Sequence, residues 1–364
     1  MKPLYVVGTH QNVGKTTFCI GLIAVLRERH LRVGYLKPLG QRITTVGGHP
    51  VHDDALVVSQ ALDVDQPGAS SLTVPLTHGR VLEEIHDAHT TELIQEVAAA
   101  CARQEAQSDV VIVEGMGHVA TGSCIRLSGA DVARTLGARA LLITGGGVGR
   151  TIDDLALCAT FLTARGAELL GAVVNKVWPD KYARVKEAAG KGLENLGIRC
   201  YGTMPYEETL ASPTIAQVAL ELGGRIICGT GALNQRVGKT IVAAMESHHM
   251  VAYLKDRALV ITPGDRSDNI LAILSTCALA PKSPPSVVGI ILTGGFVPIG
   301  TMMSMLVDSG LPAIMCREDT YTVATKLKET IFKIQPDDRD RVEAATRLIN
   351  EYADVDAILD SLRE

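Results

Sequence analysis

The segment that most constrains the fold of this chain is "VVGTHQNVGKTT", residues 6–17. An apolar strand precedes Gly8, and a strongly helical segment, "GKTTFCIGLIAVLRERH", follows it. At such a strand–loop–helix junction, backbone N–H groups and the helix N-terminus point at a bound phosphate. Five residues separate Gly8 from Gly14, one more than in the usual phosphate-binding loop. The segment predicts a nucleotide-phosphate site in an α/β domain, and a plain glycine turn is the alternative.

The predicted nucleotide-binding residues of this loop share one feature, which is that their backbone or side chain would line the phosphate. They are Gly8, Gln11, Asn12, Val13, Gly14, Lys15, Thr16 and Thr17. Lys15 would reach the outer phosphate oxygens, and the Thr16 hydroxyl would bind Mg²⁺. Mg²⁺ and a nucleotide are therefore the predicted ligands.

The order of apolar runs predicts two α/β regions. Roughly the first 210 residues alternate short apolar runs with helical segments, as βαβ units do. The runs include "LYVVG", "DVVIVEGMG", "ARALLITGGG" and "LLGAVVNKV", and runs apolar throughout indicate a parallel sheet covered on both faces. A second series of strands and helices starts after "YGTMPYEETLASPT". The predicted divisions are 1–212, 213–330 and a charged helical tail, 331–364.

Composition excludes several classes of function. A net charge of −5 and a pI near 6.1 give no basic surface for nucleic acid. The eight cysteines form no CxxC pair, so zinc and redox motifs have no support, and free cysteines suit a cytoplasmic protein.

The uncharged stretch 287–307 holds four glycines and a proline. It is predicted to be a strand, a turn and a helix rather than a membrane span.

Beyond the loop, four segments follow the order found in dethiobiotin synthetase, whose phosphate loop has the same five-residue gap. "YLKPLGQ" resembles its Lys-Pro strand end and implies that Lys37 lies beside the phosphates. "DDAL" and "VIVEGMG" resemble its metal-binding segments and imply that Asp54 and Glu114 bind Mg²⁺. "VVNKV" resembles its base-recognition loop, which implies that Asn175 lies near adenine and that the nucleotide is ATP. The resemblance spans about residues 4–206.

Each of these residues also has a structural interpretation. Asp53 and Asp54 could favour a helix N-terminus, and Glu114 could be a solvated loop residue. Lys37 could be a surface lysine and Asn175 a turn former. Their joint order along the chain favours the functional interpretation.

Two positions differ from dethiobiotin synthetase. This chain has Asn12 where that family has an acidic residue, and Gln41 where it has a serine. Those positions serve the diamino-acid substrate and its carbamate. The resemblance therefore supports the nucleotide site more than it supports biotin-pathway chemistry.

A second Gly-Lys-Thr occurs in "GALNQRVGKTIVAAM", at residues 238–240. Six residues separate Gly231 from Gly238, and the run after Thr240 is β-prone rather than helical. Without a helix N-terminus at Lys239 there is no phosphate cradle. The segment predicts the start of a strand.

Two later segments, "TPGDRSDN" and "ILTGG", match the two signature pieces of the DRTGG domain. They single out Asp265, Arg266, Thr293, Gly294 and Gly295 as candidates for a second ligand site. The Arg266 side chain could pair with an anion, and Asp265 with a hydroxyl or an amine. The alternative is a turn stabilised by an internal Asp–Arg pair.

Together the two domains resemble the N-terminal, non-catalytic region of long bacterial phosphate acetyltransferases over nearly the whole chain. The resemblance implies an α/β fold, with a parallel-sheet P-loop NTPase domain like dethiobiotin synthetase followed by a smaller α/β DRTGG domain. The chain stops where the catalytic domain of those enzymes would begin, so a free-standing version of the regulatory part is expected. We expect no acetyl transfer by the chain alone.

Two functions follow from this resemblance. The first is a Mg-ATP-binding regulatory or sensing module that acts with a separate phosphate acetyltransferase-type enzyme and forms a homo-oligomer. The second is a Mg-ATP-dependent ligase of the dethiobiotin synthetase or cobyrinic acid amidotransferase type, acting on a small carboxylate. In that case Lys15 and Lys37 would be catalytic, because they would stabilise charge on the transferred phosphoryl group.

Overall fold

The computed structural model describes residues 1–40, 43–46, 48–62, 74–86, 90–279, 286–335 and 337–364. The chain divides into two compact units, Met1–Leu210 with Ile334–Glu364, and Ala211–Lys333. The sequence-based division at residues 212 and 330 set the C-terminal residues apart as a tail. In the structure, residues from Ile334 onward are part of the first unit, because their helices pack there.

The strands are numbered along the whole chain. Those of the first unit are β1 (Leu4–Gly8), β2 (Val33–Leu36), β3 (Leu39–Gly40), β4 (Ile43–Val46), β5 (His49–His52), β6 (Val74–Pro75), β7 (Val110–His118), β8 (Arg139–Gly145), β9 (Glu168–Val177) and β10 (Cys200–Pro205). Those of the second unit are β11 (Arg225–Cys228), β12 (Lys239–Val242), β13 (Ala258–Pro263), β14 (Val287–Thr293) and β15 (Ala313–Met315).

The helices are numbered in the same way. The first are α1 (Lys15–Glu28), α2 (Asp53–Leu62), α3 (His78–His86), α4 (Thr90–Glu105), α5 (Gly129–Thr135), α6 (Gly149–Ala164), α7 (Tyr182–Asn195) and α8 (Glu208–Ala211). Those of the second unit are α9 (Ile215–Leu222), α10 (Ser247–Ala252), α11 (Ser267–Leu279), α12 (Thr301–Asp308) and α13 (Thr320–Glu329). The chain returns to the first unit with α14 (Arg339–Tyr352) and α15 (Val355–Arg363).

The first unit is built on a six-stranded sheet with the order β10-β9-β8-β1-β7-β2, in which every pairing is parallel. Alternate side chains of the central strand β1 enter two different cores, Tyr5 and Val7 on one face and Leu4 and Val6 on the other. Such alternation is what a strand buried on both faces requires. The predicted parallel sheet covered on both faces is therefore confirmed.

Helices α14 and α15 complete one of these two cores. Leu348, Ile349 and Ile358 belong to the same apolar cluster as α1. The contact between α1 and α14 is close at Gly21, where a Cβ atom would lie 2.5 Å from the Ala345 carbonyl oxygen. The guanidinium of Arg341, fully buried in α14, donates from Nε to the Thr209 carbonyl oxygen at 3.2 Å. The C-terminal helices thus form part of the nucleotide-loop unit's core.

The second unit is a five-stranded sheet with the order β11-β15-β14-β13-β12. Its pairings are parallel except β11 with β15, which is antiparallel. The second Gly-Lys-Thr is a strand start, because β12 begins at Lys239 and pairs with β13, which confirms that prediction. The uncharged stretch forms β14, a turn and α12, as predicted. Among the described residues, no helix is both long enough and apolar enough to cross a membrane.

Candidate functional site

The loop between β1 and α1 is turned back on itself by two residues in the left-handed region. Asn12 has φ 65° and Gly14, which precedes α1, has φ 96°. A Cβ atom on Gly14 would lie 2.5 Å from the Asn175 side-chain nitrogen, so only glycine fits this position without a shift. Val13 is buried under the loop, while Gln11 and Asn12 are exposed.

Lys15 and Thr16 begin α1 and face the end of the sheet. Lys15 is 9 % exposed, and burial lowers the pKa of its ammonium group, a shift that Glu114 opposes and Lys37 reinforces. The Thr16 hydroxyl donates to Oε1 of Glu114 at 2.8 Å. Thr17 follows in the same turn and is half-buried. A phosphate at this helix N-terminus would supply the negative charge that a partly desolvated Lys15 lacks.

The carboxylate cluster, by which we mean Thr16, Tyr35, Lys37, Asp54 and Glu114, lies at the carboxyl ends of β1, β2 and β7. Glu114 is fully buried in β7 and accepts hydrogen bonds from the Lys37 ammonium at 2.8 Å and from the Tyr35 hydroxyl at 2.8 Å. The Lys37 ammonium also donates to Oδ2 of Asp54. Burial alone would lower the pKa of Lys37, but the charges of Glu114 and Asp54 outweigh it and raise this pKa. The lysine is therefore a buried ammonium ion held by two carboxylates.

Parallel pairing brings these residues together. Strand β7 lies between β1 and β2, and the carboxyl ends of neighbouring parallel strands meet at one edge of the sheet. Asp54 reaches this edge from the first turn of α2, where its backbone N–H donates to Nδ1 of His52 at 3.0 Å. His52 is itself buried, and it packs so closely on Gly40 that a Cβ atom there would overlap its ring.

The end of β9 holds the loop from the other side. The Asn175 amide donates to the Val13 carbonyl oxygen at 2.9 Å. The ammonium of Lys176, which has φ 60°, donates to the Asn12 carbonyl oxygen at 2.7 Å. Burial lowers the pKa of Lys176. Two consecutive side chains of β9 thus fix the backbone of the loop.

Three of these residues were not singled out from the sequence, namely Tyr35, His52 and Lys176. A signal existed for Tyr35, because it stands two residues before Lys37 at a strand end and so shares its face. The signal for Lys176 is its position, because a charged residue directly follows Asn175 at the end of a mostly apolar strand. His52 carries no such signal, since its place depends on the fold around Gly40.

The carboxylate cluster fits Mg²⁺ by its chemistry. Two carboxylates and a hydroxyl are the oxygen donors that Mg²⁺ takes in nucleotide sites. By contrast, Glu246, His248 and His249 of the second unit place their ligand atoms within 4.8 Å of one another, but all three are exposed. Exposed acidic and histidine side chains often lie together without holding an ion, so the buried carboxylate cluster is the better candidate cation site.

The second-ligand candidates follow β13 or end β14 in the second sheet, and their hydrogen bonds go to other residues of the second unit. Arg266 forms a two-point ion pair with Asp268, at 2.8 Å for each contact, rather than with Asp265 beside it. The N–H groups of Gly294 and Gly295 donate to the carbonyl oxygens of Glu318, at 2.8 Å, and Cys316, at 2.9 Å.

Both glycines have a left-handed backbone, with φ 79° and 74°. The hydroxyl of Thr293 shares a hydrogen bond with that of Thr320 at 2.7 Å. These contacts explain the signature as a set of turn-forming residues. A ligand at this edge stays a prediction.

Comparison with known proteins finds two family models that match successive parts of the chain. A family model described as "AAA domain" matches residues 2–214, and one described as "DRTGG domain" matches residues 217–330. The phosphate acetyltransferase of Nitratidesulfovibrio vulgaris is 26% identical over 364 positions, which is 96% of this chain and 50% of that protein. That of Pseudomonas aeruginosa is 27% identical over 372 positions, which is 97% of this chain and 51% of that protein. The chain spans about half the length of the curated relatives it matches.

Solved structures are more distant. The MinD protein of Pyrococcus horikoshii complexed with Mg-ADP is 14% identical, with a TM-score of 0.36, over 57% of this chain and 83% of that one. The CBS and DRTGG domains of a Clostridium perfringens pyrophosphatase are 16% identical, with a TM-score of 0.28, over 39% of this chain and 61% of that one. The family models and curated relatives confirm the similarity to the N-terminal region of long phosphate acetyltransferases.

Proposed function

Since the chain belongs to the AAA domain family and carries a DRTGG domain after it, we propose that it binds ATP with Mg²⁺ and acts as a sensing module. The observation that carries the proposal is the carboxylate cluster beside a helix N-terminus. Lys15 and Lys37 provide two buried or nearly buried cations, and Asp54 and Glu114 provide two buried carboxylates. In this arrangement the lysines would bind the phosphates, while Thr16 and the carboxylates would hold the metal ion.

The sensing role is supported by the relatives. They are named phosphate acetyltransferases, and this chain matches about half of each. We propose that nucleotide binding to this chain regulates a separate phosphate acetyltransferase-type enzyme. The chain would act on it as a complex of two or more copies. All eight cysteines are free, which suits a reducing compartment, so we place this complex in the cytoplasm. Affinity capture with a purified enzyme of that type, with and without Mg-ATP, tests the partner.

A ligase is the second candidate, and one observation favours it. The Lys37 ammonium contacts Glu114, and the charge of Glu114 also acts on the pKa of Lys15, so both lysines could stabilise charge on a phosphoryl group in transfer to a small carboxylate. Steady ATP turnover that depends on an added carboxylate would support the ligase. Tight ATP binding with little turnover under all conditions would support the module.

The nucleotide site is tested by Lys15→Ala, with Lys239→Ala as its matched control. Both substitutions remove the lysine of a Gly-Lys-Thr, but Lys239 is exposed at the start of β12 and has no helix behind it. We expect Lys15→Ala to abolish the thermal stabilisation by Mg-ATP and to leave the protein folded, while Lys239→Ala keeps it. Unchanged ATP binding in a folded Lys15→Ala protein would end the proposal. A loss of about tenfold, or 1.4 kcal/mol, in Lys239→Ala would show that the second motif takes part.

A further inference from the structure

The Lys37 ammonium occupies the space between the two carboxylates of the candidate metal site. It contacts Oδ2 of Asp54 and Oε1 of Glu114, and its side chain is 7 % exposed. The same Oε1 atom accepts the Thr16 hydroxyl. The Lys37 ammonium thus joins Asp54 to Glu114, and the Glu114 oxygen that it contacts also binds Thr16. These are the three residues that would bind the metal ion.

A metal ion bound to these oxygen atoms would compete with the Lys37 ammonium for the same lone pairs. Mg²⁺ needs metal–oxygen distances of about 2.0–2.1 Å in near-octahedral geometry. An ammonium held within hydrogen-bond distance of both carboxylates already uses oxygen atoms that such an ion would bind. Two cations at that distance would also repel each other strongly in a buried site. Tight cation binding is therefore expected only when the Lys37 side chain moves away from at least one carboxylate.

A phosphate provides the place to which Lys37 can move. The Lys37 ammonium and the Thr16 hydroxyl donate to the same oxygen, Oε1 of Glu114, so Lys37 lies next to the first turn of α1. That turn is where the helix N-terminus favours an anion. The flexible four-carbon stem of a lysine allows its ammonium to exchange a carboxylate for a phosphate without backbone movement.

We propose that Lys37 is a positioning residue that keeps the metal site closed until a phosphate draws it away, so that divalent cations bind only together with the nucleotide. This inference rests on the proposed Mg-nucleotide site and adds the order in which it is filled. Lys37 holds Asp54 and Glu114 in place while the site carries no divalent ion. When Lys37 binds a phosphate instead, both carboxylates become available to the metal ion that accompanies the nucleotide.

The test measures Mn²⁺ binding to the full chain by the loss of the free Mn²⁺ electron paramagnetic resonance signal. The proteins are the natural sequence, Lys37→Gln, Lys37→Arg and the control Lys239→Gln, which removes the same charge from an exposed strand. Each is titrated without phosphate by this signal. Because tripolyphosphate itself chelates Mn²⁺, binding in its presence is measured as the Mn²⁺ that stays with the protein in gel filtration. A double variant, Lys37→Gln with Asp54→Asn, shows whether any gained binding uses the cluster.

Without phosphate, we expect Lys37→Gln to bind Mn²⁺ at least about tenfold more tightly than the natural sequence, the effect of removing one neighbouring charge. Lys37→Arg and Lys239→Gln should bind as the natural sequence does, and the double variant should lose the gain. A merely structural lysine would give no gain of affinity in any variant. Equal Mn²⁺ affinity in Lys37→Gln and the natural sequence would overturn the inference.

Two further outcomes keep the test decisive. If Lys37→Gln does not fold when a chelator removes divalent ions, Mn²⁺ is added back. Refolding of Lys37→Gln that is lost in the double variant supports the inference. Failure of Lys37→Gln to refold with Mn²⁺ opposes it. In the natural sequence, tripolyphosphate should be required for Mn²⁺ binding, and tight binding without it would refute the closed site. ATP binding is measured separately. Its absence would contradict the proposed function, while the comparison of Mn²⁺ affinities would still test the role of Lys37.

Discussion

Tyr35→Phe is a clean test of the carboxylate cluster, because it removes one hydroxyl and leaves the ring. The Tyr35 hydroxyl donates to Oε2 of Glu114 at 2.8 Å, and both side chains are buried. A hydrogen bond to a charged group contributes about 1.5–3 kcal/mol to stability. Glu114 is fully buried, so water cannot replace the lost donor. We expect the free energy of unfolding to fall by an amount in that range.

Tyr201→Phe is the matched control. Tyr201 is equally buried in the same unit, and its hydroxyl bonds to the Ser361 hydroxyl at 2.8 Å. This bond joins two neutral groups, for which about 0.5–1.5 kcal/mol is expected. The Ser361 hydroxyl also donates to the Ala357 carbonyl oxygen, so it keeps a partner after the change. The difference between the two variants isolates the buried charge on Glu114.

The assay is urea unfolding followed by the fluorescence of Trp178, the chain's single tryptophan. Trp178 lies in the first unit, so the signal reports the unit that holds the cluster and avoids assuming that both units unfold together. A loss in Tyr35→Phe no larger than that in Tyr201→Phe would refute the view that Glu114 is a buried carboxylate held by its donors.

Two other substitutions test separate parts of the structure. Gly21→Val should destabilise the first unit by about 1–3 kcal/mol, because its side chain would enter the backbone of α14. Gly190→Val in α7, where a Cβ atom meets nothing within 4 Å, should be nearly neutral in the same urea assay, and equal losses would contradict this packing. In the second unit, the hydrogen bond from Arg266 is the largest cause that lowers the pKa of Asp268 to about 2. Arg266→Gln should raise this pKa towards 3.8 in a carboxyl NMR titration, and an unchanged midpoint would show that the ion pair does not form in solution.

The sheet and its carboxyl edge could be predicted from the sequence because each depends on local patterns. Runs apolar on both faces indicate parallel strands, and polar residues directly after such runs mark the edge where sites are built. The resemblance to dethiobiotin synthetase implied the roles of Lys37, Asp54 and Glu114, and for Glu114 the end of an apolar run supported that role as well. The structure brings all three within hydrogen-bond distance.

What the three do to one another could not be predicted. A motif assigns Lys37 to phosphate and Asp54 to metal as separate roles. Whether a lysine instead contacts the carboxylates depends on the relative position of β2, α2 and β7 to within about an ångström, and sequence spacing does not define this. The charge balance of the cluster is therefore a property of the fold.

The C-terminal helices illustrate a different limit. Their charged, amphipathic pattern predicts helices, but an apolar stripe does not identify the surface against which it packs. The pairing of α14 with α1 depends on Gly21, which in the sequence is one glycine inside a helical run and gives no sign of a partner over 300 residues away. Likewise, Arg266 has acidic residues at positions 265 and 268, and only the turn geometry selects Asp268.

The two Gly-Lys-Thr segments show why context decides the meaning of a motif. At Gly14 the backbone enters the left-handed region and α1 starts at Lys15, so successive N–H groups of the first turn point the same way. At Gly238 the chain enters β12, where successive N–H groups point to opposite sides of the strand and cannot converge on one anion. Lys239 is accordingly an exposed strand residue, while Lys15 is 9 % exposed and begins a helix. The three letters are the same in both places, and the helix that follows them makes the phosphate site.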